Sequence, residues 1–168
     1  MASIDKIDAL ISTVRELNHH VRPKLTEEIG GGAGNMAEVH AILGEMRNRE
    51  LVLSHGVKRM ILSSREGVED SEIQNMMGTA QNRITLEEAL EIHQDVSLLP
   101  TRVVMSEFAS AREAILSLLR GLPDKSWEYK STQAIDAGQD TVIAVIDNLI
   151  EEDKKAMQKI NQLVGVAA

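Results

Sequence analysis

The chain has 168 residues, 43% of them hydrophobic, enough for one domain with a substantial core and too many for a disordered polymer. Its formal net charge of −8 opposes non-specific binding to nucleic acid or to an anionic membrane, since both need clustered Lys and Arg. The absence of cysteine excludes disulfides, a thiolate nucleophile and Cys-ligated metal, and 2% aromatic content leaves the core to Leu, Ile, Val, Met and Ala, a palette that suits helices.

The N-terminus, MASIDKIDAL, is acidic early and carries no long apolar segment, so no signal peptide is read there. No run approaches the roughly 18 apolar residues of a spanning helix. The expected location is cytoplasmic, with neither nucleic acid nor membrane as partner.

The first helix is predicted from about Ser3 towards Ile29. Ile4, Ile7, Leu10, Ile11, Val14, Leu17 and Val21 recur every three or four residues, as one buried face requires. Pro23 should interrupt it, because proline lacks the backbone donor and clashes with the preceding turn. His19 and His20 are adjacent, so they do not share a face, and they read as surface residues.

Gly30-Gly31-Gly32-Ala33-Gly34 breaks the chain. It has neither the Lys-Ser/Thr ending of a P-loop nor a preceding strand, and reads as a connector. The second helix begins at Asn35, with Glu38 placed for a capping box, and runs to about Ser63. Residues 65–83 are mixed and polar. Within them Ile73, Met76, Met77 and Ala80 suggest a short amphipathic helix in a long crossover.

The third helix opens with Thr85 and Glu88, another capping-box pair. Its stripe runs through Leu86, Leu90, His93, Ser97, Pro100, Val104, Phe108, Ala111, Ile115, Leu118 and Leu122. Pro100 should bend it near the middle. His93 reads as a hydrogen-bonded core residue or as a ligand or acid–base group. Residues 121–139 form a loop whose Trp127 and Tyr129 should cover one end of the core.

The last helix, Thr141 to Leu163, is capped by Asp140 and buries Val142, Val145, Leu149, Ala156, Ile160 and Leu163. Glu152 falls between Leu149 and Ala156, where the period asks for an apolar residue. A carboxylate aimed at a core costs several kcal/mol unless it is paired, hydrated or protonated, so Glu152 marks either a polar site or a shallow part of the bundle. The expected fold is all-α: a four-helix bundle over residues 1–168, with a long crossover between the second and third helices.

The stretch from Phe108 to Ile160 resembles the C-terminal half of the DinB-like (DinB/YfiT-like) superfamily of four-helix bundles. The resemblance rests on Phe108-x3-Arg112, the Leu-rich run through Leu122-Pro123 to Trp127, Thr141-Val142 opening the last helix, and Asp153 to Ile160. It extends more loosely to Val39-x2-Ile42-Leu43 and Glu50. The resemblance implies three inward-facing histidines, one on the second helix and two in a His-Asp-x-x-His arrangement on the last. It also implies metal-dependent transferases or isomerases that use an external thiol such as bacillithiol or mycothiol.

Laid on that motif, this sequence has Glu45 on the second helix and Glu152 and Ala156 on the last. Ala156 has no donor atom, and two carboxylates with water make at most a weak divalent-cation site. The other reading is ion pairing or solvation: Arg49 lies one turn from Glu45, and Lys155 lies near Glu152. The expected function is therefore a helical bundle without the family's catalysis, binding a small molecule in its cavity or a protein partner, with homodimerisation common among such proteins. The alternative is a divalent-metal-dependent thiol S-transferase with an altered site of Glu45, Glu152 and His93.

Overall fold

A computed structural model describes residues 2–63, 95–131 and 138–165. Among these residues every regular element is helical, and the extended pairing is limited to one antiparallel bridge between Ile29 and Pro100. The elements are α1 (Ala2–Glu16), a π-helical turn (Leu17–Val21), a 3-10 turn (Arg22–Lys24), α2 (Asn35–Ser63), α3 (Thr101–Arg120), α4 (Asp124–Glu128) and α5 (Val142–Val164). No helix among the described residues is long and apolar enough to cross a membrane.

Pro23 acts as its chemistry dictates, and the first helix ends well short of Ile29. The helix widens to a π-turn after Glu16, tightens to a 3-10 turn at Pro23, and turns extended at Leu25. Gly30, Gly31, Gly32 and Gly34 then carry positive φ. At Gly31 (φ +81°) a Cβ would come within 2.5 Å of the Met36 carbonyl oxygen and 2.8 Å of His40 Cβ, so this turn needs a residue without a side chain.

The second helix spans the predicted residues, but its start is tied down by other bonds than a capping box. The Ala37 and Glu38 amides donate to the Gly34 carbonyl, and the Asn35 side-chain amide donates to the Leu163 carbonyl at the end of α5, 3.3 Å away. Pro100 also departs from expectation. It precedes α3 with extended backbone (φ −62°, ψ 147°), so the proline starts the helix rather than bending it. A ring nitrogen without a proton is tolerated at a helix start, where the amide has no intrahelical partner. Thr85, Glu88, His93, Ile73, Met76, Met77 and Ala80 lie outside the described residues.

Trp127 sits in the core as expected, carried by the short helix α4 within what the sequence suggested was loop, whereas Tyr129 is exposed. The cap of α5 is Thr141 rather than Asp140: its hydroxyl accepts from the Ala144 amide at 3.1 Å. Gly165, at φ +76°, closes the other end.

Contacts between helices define their order and direction. α1 packs on α3 and α5, and α2 packs on the same two. Lys6 meets Asp147, Thr13 meets Asp153 and Glu16 meets Asn161, so α1 and α5 run parallel. His40 meets Thr101, Arg47 meets Glu107 and Glu50 meets Arg112, so α2 and α3 are also parallel. Between α2 and α5 the pairs Arg49–Glu152 and Asn35–Leu163 run in opposite senses, which makes those helices antiparallel. The chain therefore leaves α2 at one end and enters α3 at the other.

Two apolar clusters fill the interior. One contains Leu53, Val57, Ile115, Trp127, Val145 and Leu149; the other contains Leu17, Leu43, Met46, Phe108, Met157 and Ile160. Each long helix contributes to both.

Candidate functional site

Between the two apolar clusters lies a polar layer with one side chain from each long helix. On α1, Thr13 falls between Leu10 and Leu17. On α2, Glu50 falls between Met46 and Leu53. On α3, Arg112 falls between Phe108 and Ile115, and on α5, Asp153 falls between Leu149 and Met157. Arg112 and Glu50 are 0% exposed and Asp153 is 3% exposed.

The Arg112 guanidinium has five N–H protons, and each has an acceptor. Nε and Nη2 donate to the two Glu50 oxygens, the latter at 3.2 Å. Nη1 and Nη2 donate to the two Asp153 oxygens at 2.8 and 3.0 Å. Nη1 also donates to the Leu10 carbonyl at 3.0 Å. The Thr13 hydroxyl donates to Asp153 at 3.0 Å, and the Phe108 ring lies 4.9 Å from the guanidinium carbon.

One buried cation thus serves two buried carboxylates. Burial pushes the Glu50 carboxyl above its ordinary range, against the pull of Arg112, and nearby Asp153 adds to the rise. Burial alone would weaken the Arg112 cation, but Glu50 and Asp153 more than reverse this. With every donor of Arg112 engaged, the layer has none left for a ligand. It fixes how the four helices align, because a shift of any one would strand a buried charge.

Asp153, not Glu152, is the carboxylate that interrupts the stripe of α5. The buried positions are Val142, Val145, Ile146, Leu149, Asp153, Met157 and Ile160. Glu152 is half-buried on the flank facing α2, with Arg49 at 3.8 Å and Lys155 at 3.2 Å, and Ala156 is half-buried. Glu45 is exposed. His93 lies outside the described residues. Among the described residues, no group of three or more His, Asp or Glu side chains is placed to hold a metal ion.

His40 forms a second buried polar point. Its Nε2 lies 2.8 Å from the Val96 carbonyl and its Nδ1 lies 2.8 Å from the Thr101 hydroxyl. A carbonyl only accepts, so Nε2 carries the proton, and in the neutral ring Nδ1 accepts from Thr101. The imidazole clamps the turn before α3 onto α2. His19 and His20 are exposed on the π-turn.

A surface groove of about 670 Å³ lies between the parallel helices α2 and α3. Leu51, Val103, Ala111 and Ala114 line it with short serines, and Arg47, Arg102 and Glu107 supply its charges. Its size is that of a small-molecule site. The sequence held a signal for the polar layer, a charged residue four positions after an apolar one on α2, α3 and α5, but nothing that isolated the groove, which exists only once two helices are side by side. No protein-family model, no curated protein and no solved structure matches this chain.

Proposed function

We propose that the chain is a DinB-like four-helix bundle that works as a binding protein, without the metal-dependent thiol chemistry of that superfamily. The observation that carries this reading is the state of the motif positions. Glu152 is held between Arg49 and Lys155, Ala156 offers no donor atom, and Glu45 is turned to the surface. A carboxylate already neutralised by two cations is a poor ligand for a divalent ion.

The helix directions support the bundle assignment. Parallel α1 and α5, parallel α2 and α3, and a chain that must cross over between α2 and α3 form the arrangement expected of a bundle with one long connection.

The test is thermal unfolding of EDTA-treated protein with zinc, nickel, manganese and magnesium, together with equilibrium dialysis. A native-state ligand at a hundredfold excess over its Kd would add about 2.7 kcal/mol of stability. The expected result is no saturable shift and no stoichiometric uptake. Uptake of one ion per chain that disappears in Glu152→Ala would overturn the reading and restore the S-transferase alternative.

A further inference from the structure

The polar layer is out of charge balance. Arg112 brings one positive charge, while Glu50 and Asp153 bring two carboxylates, and all three side chains are shielded from water. Among the described residues no other cation forms an ion pair with either carboxylate. Arg49 on α2 meets Glu152 instead, at 3.8 Å, and α1 supplies only the Thr13 hydroxyl and the Leu10 carbonyl, neither of which carries charge. Fully ionised, the layer would hold one uncompensated negative charge in the interior. Such a group takes a proton from solvent rather than bear the cost of dehydration.

The two carboxylates are unequal hosts for that proton. Asp153 accepts three hydrogen bonds, from Nη1 and Nη2 of Arg112 at 2.8 and 3.0 Å and from Thr13 at 3.0 Å. With Thr13 it also lines a groove of about 350 Å³ between α1 and α5, which opens that side of the layer towards solvent. The other charged groups in the groove are engaged: Glu16 accepts from the Asn161 amide, and Lys154 meets Glu151 at 3.5 Å. Glu50 accepts from Arg112 alone and is 0% exposed. Its Oε1 takes the longest of the five guanidinium bonds, 3.2 Å, from a nitrogen that Asp153 already shares. A carboxylate with more donors and a wetter side keeps its charge, and the dry one is protonated. Burial and Asp153 push the Glu50 carboxyl up in the same sense, against Arg112 and Arg49.

We propose that the layer is a proton-binding site: in the folded protein at neutral pH Glu50 is a carboxylic acid, and Arg112 and Asp153 form the ion pair. The bound proton comes from solvent and brings the layer from one negative charge to none. The clasp that aligns the four helices is thus filled by acid and emptied by alkali. This inference is independent of the binding-protein reading.

The experiment follows the full chain, labelled with ¹³C at the glutamate side-chain carboxyls, by NMR through a pH titration. One glutamate signal is expected to keep the acid form at neutral pH, far above the ordinary 4.5, and to be missing from Glu50→Gln. Asp153→Asn removes the competing carboxylate, so Glu50 should then ionise about tenfold more readily, with a midpoint lower by about one pH unit. A spectrum in which every glutamate ionises in the ordinary range overturns the proposal. So does an acid form that persists in Glu50→Gln, or an unchanged midpoint in Asp153→Asn. If Asp153→Asn does not fold, counting protons takes its place. Unfolding in urea at neutral pH should release one more proton from the wild type than from Glu50→Gln, and equal release from both overturns the proposal.

Discussion

Arg112 on α3 donates to both carboxylate oxygens of Asp153 on α5, at 2.8 and 3.0 Å, in the layer between the two apolar clusters. The same guanidinium is shared with Glu50 on α2 and reaches the backbone of α1 at Leu10. Three helices therefore meet a fourth through one side chain.

Removing that side chain alone should be severe. Arg112→Met leaves two buried carboxylates without a counter-charge, and breaking a buried pair in this way costs about 3–5 kcal/mol. For a chain of this size that lowers the melting temperature by on the order of 10 °C. The triple replacement Glu50→Leu, Arg112→Met, Asp153→Leu should recover most of the loss, since a well-packed apolar layer is often as stable as a buried ion cluster. Urea unfolding of both variants measures this, and a triple variant no more stable than Arg112→Met would show that the layer's geometry, not its charge balance, holds the helices.

Glu50 gives the fold a pH dependence of definite sign. Burial pushes its carboxyl above the ordinary 4.5; Arg112, which faces it from α3, and Arg49 beside it on α2 oppose the rise, and Asp153 from α5 adds to it. A carboxyl raised on folding contributes stability that is complete below about pH 4.5 and is lost as the pH rises through the raised value. Glu50→Gln mimics the protonated form. The stability of the wild type relative to Glu50→Gln should therefore fall as the pH rises above about 4.5, and parallel curves from chemical denaturation would contradict it.

Gly31 and Gly34 separate two costs of a side chain. Both have positive φ, +81° and +66°, but a Cβ at Gly31 meets Met36 and His40 while at Gly34 it meets nothing within 4 Å. Gly34→Ala should cost about 1 kcal/mol from the left-handed backbone alone. Gly31→Ala should cost more, by roughly 1–3 kcal/mol, because backbone at the start of α2 must move. Equal losses in a denaturant series would mean that the turn relaxes freely.

The His40 clamp predicts a local effect. His40→Phe keeps the volume but leaves the Thr101 hydroxyl without its imidazole acceptor and the Val96 carbonyl with the Leu99 amide alone, at a cost of about 1–3 kcal/mol. Hydrogen exchange should quicken first at Leu99 and Gly30, whose amides hold the Asp95–Pro100 turn and the glycine-rich loop together. Exchange that rises uniformly over the chain would place the loss in global stability instead.

Much of the helical architecture was legible in the amino-acid sequence alone. Apolar spacing located α1, α2 and α5, Pro23 marked the break after the first helix, and the glycine run marked the loop before Asn35, because these signals are local and act through backbone chemistry. Pro100 is ambiguous in sequence for the same local reason: a proline can bend a helix or begin one, and the residues packed around it choose. Which carboxylate of α5 faces inward was beyond the sequence. Steps of three and of four are both helical, and adjacent residues differ by about 100° around the axis, so Glu152 and Asp153 each continue a plausible stripe from Leu149. Only the packed structure, by placing Arg112 opposite Asp153 and Arg49 beside Glu152, decided between them. The physical reason is that a buried charge is placed by its partner, and a partner on another helix leaves no trace in local periodicity.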